Sequence, residues 1–124
     1  MDEMKRKILI IDDNQGDRQL VKEYLAEAGF DFEYRLVSSG EEGVARIKDF
    51  QPDVVVIDTK LPGIDGYETC RQIKIVAPQI KVIILTGMVD AVDFGKAREA
   101  GADEFTIKTS NYDVFTKSFR EMLD

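Results

Sequence analysis

Asp12, Asp13, Asp58, Thr86 and Lys108 are the residues through which this chain could do chemistry. Each sits directly behind a short apolar or alternating stretch: residues 8–11, 54–57, 82–85 and 104–107. Taken singly, each has an ordinary use. An acid at 12 or 13 can help cap a helix, Asp58 can turn the chain, Thr86-Gly87 can open a loop, and Lys108 can be a solvated charge. Asp65-Gly66 reads that way too, as a turn followed by a cap. Independent accidents would scatter such residues along the strands, yet these all fall at the same strand end. Three carboxylates brought together repel, and at least one gains proton affinity unless a cation neutralises it. Mg²⁺ with part of its water shell suits one or two carboxylates plus a phosphate. Lys108 could grip a phosphoryl oxygen as a point charge, and Thr86 could donate one hydrogen bond to it. Asp58 is the candidate nucleophile, because carboxylates form aspartyl phosphates. This is phosphoryl transfer by positioning and electrostatics.

Absences narrow the chemistry further. The 124 residues include no histidine, so there is no imidazole base, no Ser-His-Asp triad and no internal phosphohistidine. The single cysteine, Cys70, permits no internal disulfide and no thiolate-clustered zinc; between Tyr67 and Ile73 it reads as a small core residue. Any metal must take oxygen ligands, which favours a hard cation. Lys plus Arg is 17 and Asp plus Glu is 24, a net charge of −7. That sign works against nucleic acid or an anionic membrane as partner. The apolar run behind the charged N-terminus stops after four residues, too short for a signal peptide, and no run approaches a membrane span. The expectation is a cytoplasmic protein.

The elements that must hold these residues follow from periodicity. The runs at 8–11, 54–57 and 82–85 are rich in β-branched residues and too short for helices, as expected for strands buried on both faces of a parallel sheet. Residues 32–36 and 104–107 alternate apolar with polar, as edge strands do. Helices fit between them. Asn14 caps the first, with Leu20, Val21, Tyr24, Leu25 and Ala28 inward and Gly29 as its stop. Ser38 with Glu41 offers a capping box for the second, which carries Val44, Ile47 and Lys48; Asp65 with Glu68 repeats the arrangement for the third, which stops before Pro78. Asp90 precedes a fourth with Val92, Phe94, Ala97 and Ala100 inward, stopped at Gly101. Asn111 or Asp113 starts a fifth, with Phe115, Phe119, Met122 and Leu123 inward. Five βα units predict a doubly wound α/β domain over residues 1–124, with central strands 1, 3 and 4 and strand order 2-1-3-4-5. Ligands of such sheets bind beyond the carboxyl ends of the strands, beside the switch point between strands 1 and 3.

At residues 8–13, 58–66, 86–87 and 101–108 the sequence resembles the receiver domain of bacterial two-component response regulators, with chemotaxis-regulator-like members and a flavodoxin-like fold. The resemblance covers essentially the whole chain. It implies that Asp58 accepts a phosphoryl group from a histidine of a sensor histidine kinase or phosphotransfer protein. Asp13, Asp58 and the backbone carbonyl of Lys60 would ligate Mg²⁺, with Asp12 acting through a water. Lys108 would pair with the phosphoryl group, Thr86 would turn toward it, and Phe105 would swing into the space vacated. The surface of helix 4, strand 5 and helix 5 would then change for a downstream effector protein or an output domain, and phosphorylation-dependent homodimerisation is common in the family. The implied protein is a switch rather than a turnover enzyme.

Three departures from the family pattern stand out. Thr109 replaces the usual proline after the lysine, where a cis bond before a non-proline residue costs about 2.5–4 kcal/mol, leaving that loop's geometry open. Leu61 replaces the usual Met before Pro62. Lys60 and Met88 occupy positions that tune phosphoryl lifetime in the family; apolar Met88 cannot orient an attacking water, so a phosphoryl group outlasting that of fast-decaying members is expected, and a half-life of seconds would overturn this. Rival readings fit less well. A Mg²⁺-dependent phosphohydrolase places Asp-x-Asp on one strand, whereas here the acids at 12 and 13 are adjacent. A carrier of FMN needs an anion cradle where Asp12-Asp13-Asn14-Gln15 stands. A degenerate receiver used only for docking would not need the intact acid set.

Overall fold

The strands form where β-branched residues run without interruption, and the helices where small polar caps precede an apolar stripe. The computed structural model describes residues 5–87 and 91–123. Its elements are β1 (Lys7–Ile11), α1 (Gln15–Glu27), β2 (Glu33–Val37), α2 (Gly40–Phe50), β3 (Val54–Asp58), α3 (Gly66–Val76), β4 (Lys81–Thr86), α4 (Ala91–Ala100), β5 (Glu104–Ile107) and α5 (Asp113–Leu123). The five strands are parallel and ordered β2-β1-β3-β4-β5, as the apolar pattern predicts.

Successive strand residues point to opposite faces, so each central strand feeds two cores. Leu9, Ile11, Val55, Ile57, Val82 and Ile84 pack with Ile47, Cys70, Ile73 and Ala97, from α2, α3 and α4. Ile8, Ile10, Val54, Val56, Ile83 and Leu85 pack with Val21, Leu25, Phe115 and Phe119, from α1 and α5. Burial on both faces explains the unbroken apolar runs. β2 alternates in exposure, as an edge strand should.

The caps mostly fall where the sequence puts them. Asn14 accepts a hydrogen bond from the Asp17 N–H, and Asp65 accepts one from the Glu68 N–H. The second box is shifted by one residue. Ser39, not Ser38, accepts the Glu42 N–H at 3.1 Å, and Glu42, not Glu41, accepts the Ser38 N–H at 3.2 Å. Glu41 is thereby free to reach the β3–α3 loop, where it accepts the Ile64 N–H at 3.0 Å. Three residues read as inward are exposed: Leu20 at 39%, Val92 at 66% and Phe94 at 50%. α4 buries its small residues Ala97 and Ala100 instead, while Phe94 leans edge-on over Phe105 at the sheet's margin. Asp90, the expected cap of α4, and Met88 lie outside the described residues. No peptide bond described is cis, including that before Thr109. Among the described residues no helix is long and apolar enough to cross a membrane.

Candidate functional site

β1 and β3 pair in register, Ile11 with Ile57, so the residues after them emerge side by side at the switch point. Asp12 continues the sheet by one bond, its N–H donating to the Val37 carbonyl at 3.1 Å. Its carboxylate is buried and accepts the Asn14 N–H at 2.9 Å, while its own carbonyl accepts from Arg18 Nη1 at 2.7 Å. Asp58 closes β3 and is also buried; Asp13 is exposed. One carboxylate oxygen from each of Asp12, Asp13 and Asp58 lies within 4.8 Å of the others.

Lys108 enters from the end of β5, anchored by its N–H donating to the Thr86 carbonyl at 2.7 Å. Its ammonium stands 3.3 Å from Asp12, 3.3 Å from Asp58 and 3.1 Å from Asp17. Burial pushes the Asp12 carboxyl above the ordinary carboxylate range, against the pull of the Asn14 N–H and of Lys108. Burial raises Asp58 as well, helped by the neighbouring charge of Asp12. For Lys108, burial works to lower the ammonium, but the charges of Asp12, Asp58 and Asp17 more than offset it, and its pKa is raised. Lys108 brings one positive charge to the four carboxylates of Asp12, Asp13, Asp17 and Asp58, fewer than they need.

The expected residues therefore do meet. Asp12, Asp13, Asp58, Lys60, Thr86 and Lys108 line one cleft of about 800 Å³. Phe105 packs behind it, half-buried, edge-on to Phe94 at 5.4 Å and 6.4 Å from Tyr67, which lines the cleft. Sequence reasoning missed Asp17 as a partner of Lys108, because an acid in the first turn of α1 reads as a helix-dipole residue. It also missed Thr59, whose hydroxyl lies 3.0 Å from that of Thr86 and shares a hydrogen bond with it; no local signal marks that pair.

The donor set is entirely oxygen, compact and under-neutralised, which fits a hard divalent cation such as Mg²⁺. The sequence matches the family described as "Response regulator receiver domain" over residues 8–120. The chain belongs to that family. It is 33% identical over 116 residues to the transcriptional regulatory protein AfsQ1 of Streptomyces coelicolor, covering 94% of this chain and 50% of that protein. Among solved structures it resembles the BeF3-activated receiver domain of DrrB, a protein of Thermotoga maritima, at 32% identity and TM-score 0.81, covering 98% of both chains. It also resembles the Thermotoga maritima response regulator TrrA in complex with Mg²⁺-BeF, at 29% identity and TM-score 0.83, covering 94% of this receiver and 98% of that chain. This receiver spans about half the length of the curated relatives it matches. Receivers of this family are signalling switches of two-component systems.

Proposed function

We propose that residues 1–124 act as one receiver unit in which Asp58 is the phosphoacceptor. What supports this most is the gathering of the Asp12, Asp13 and Asp58 oxygens within 4.8 Å, with the Lys108 ammonium 3.3 Å from both Asp12 and Asp58. Asp12, Asp13, Asp58 and the Lys60 carbonyl would hold Mg²⁺. Bound there, the ion would neutralise charge that otherwise keeps an anionic phosphate from an anionic carboxylate.

The Asp58 carboxylate would attack as the anion that a bound cation favours, so the step needs no general base, which suits a chain without histidine. Its oxygen attacks phosphorus, an O–P bond forms, and the P–N bond to the donor's imidazole breaks. The electron pair leaves on that nitrogen, which then takes a proton from solvent. Lys108 stabilises charge on the phosphoryl oxygens. Thr86 gives up its bond to Thr59 to donate to a phosphoryl oxygen, and Phe105 moves inward as it does so. Attack by water later restores the carboxylate and releases phosphate, so the protein is a timed switch rather than a turnover enzyme. The donor is a sensor histidine kinase or phosphotransfer protein, in the cytoplasm. The reader is an effector protein, an output domain or a second copy, engaged through α4, β5 and α5. The net charge of −7 argues against nucleic acid as a direct ligand of this unit.

The test is incubation with Mg²⁺ and acetyl phosphate followed by intact mass. One phosphate should add to the wild type and none to Asp58→Asn. An adduct that persists unchanged in Asp58→Asn would remove the mechanism.

A further inference from the structure

The Lys108 ammonium has three N–H donors and three carboxylate partners, Asp12, Asp58 and Asp17. Two of its donors are spent on hydrogen bonds to Asp12 and Asp17 and the third faces Asp58 at 3.3 Å, before any phosphoryl group arrives. A phosphoryl group on Asp58 brings three acceptor oxygens and more negative charge, so one present partner must yield. Asp12 is poorly placed to do so: its side chain is 4% exposed and pinned by the Asn14 N–H. Asp58 carries the phosphoryl group itself. Asp17 is 36% exposed, sits on the first turn of α1, and can turn to water. Nor is it needed for a cation, since the oxygens gathered for one are those of Asp12, Asp13 and Asp58.

We propose that Asp17 is a resident counter-ion that competes with the phosphoryl group for Lys108, a positioning residue that weakens the hold on an anion at Asp58. The inference rests on the reading of Asp58 as phosphoacceptor. Asp17 holds the lysine in place while the site is free of anion, and is released when the site fills. Phosphorylation is then also reported at the start of α1, on the face opposite α4.

The test is equilibrium binding of beryllofluoride with saturating Mg²⁺, followed by calorimetry, which needs no kinase and so avoids effects on docking. Asp17→Asn should bind about threefold tighter than the wild type, the scale of releasing one partly exposed ion pair, and the gain should shrink as salt is added. Asp17→Glu, which restores the charge, should return to the wild-type affinity. The free Asp17→Asn protein should melt slightly lower than the wild type even as it binds the anion better. A merely structural role for Asp17 would weaken folding and binding together. Equal or weaker binding by Asp17→Asn overturns the proposal, as does Asp17→Glu binding as tightly as Asp17→Asn. If the wild type takes up beryllofluoride and Asp17→Asn gains nothing, this inference alone falls. If the wild type takes up neither beryllofluoride nor phosphate from acetyl phosphate, the reading of Asp58 falls with it.

Discussion

Two lysines stand at opposite ends of the sheet, and their surroundings could hardly differ more. Lys74, from the last turn of α3, meets one carboxylate, Asp103, at 2.8 Å and the Ile80 carbonyl at 2.7 Å; Asp103 in turn accepts the Val82 N–H at 2.8 Å. Charges balance there and the contacts are short. Lys108 meets three carboxylates at 3.1–3.3 Å, with Asp13 beside them, and balances none of them fully. The first arrangement ties α3 and the start of β4 to the turn before β5. The second holds acids together with negative charge left over, as the proposed cation site requires. An ion pair is thus a clasp or a receptor according to whether its charges close on themselves.

That contrast can be broken in three places. The largest effect belongs to the clasp. Lys74→Ala strands a carbonyl and a half-buried carboxylate, and should lower unfolding free energy in urea by about 1–3 kcal/mol without changing Mg²⁺ affinity. A neutral result would show the clasp to be ornamental. At the receptor, Mg²⁺ at ten times its dissociation constant should stabilise the wild type by about 1.4 kcal/mol, seen as a higher melting temperature. Asp13→Asn should lose most of that rise.

The subtlest expectation concerns sign. Asp58 has a raised pKa in the folded state, so its contribution to stability is fully present below its ordinary value of 3.8 and is lost as pH rises through the folded value. Metal-free Asp58→Asn should therefore be more stable than the wild type at neutral pH, by on the order of 1 kcal/mol. The gain should vanish in strong acid, where both side chains are neutral. Asp103→Asn, at the balanced end, should destabilise at neutral pH. Chemical denaturation across the pH range reads both, and a shared sign would erase the distinction drawn between the two ends.

Much of this was legible because burial on two faces leaves a mark in the sequence: residues 8–11, 54–57 and 82–85 could be little else than central strands. The acids and Thr86 behind them were visible for the same reason, since polarity begins where the strands stop. Residues 38–42 were ambiguous, because Ser38 with Glu41 and Ser39 with Glu42 satisfy the same spacing and only the packed backbone chooses. Phe94 and Val92 misled because apolar spacing on α4 does not say which of its faces the sheet covers, and the face that is covered carries Ala97 and Ala100. Asp17 was invisible because its partner is 91 residues away, and Thr59 because two hydroxyls carry no signature of their meeting.

Gly66 begins α3 against the end of β3. A Cβ there would meet the Asp58 carbonyl oxygen at 2.3 Å, so helix and strand touch backbone to backbone, with no compressible side chain between them. The joint is also tied by the Gly66 N–H donating to the Thr59 carbonyl at 3.1 Å, and the eleven residues of α3 run on from it for about 15 Å to their far end. That far end carries Ile75 and Val76, both turned toward solvent.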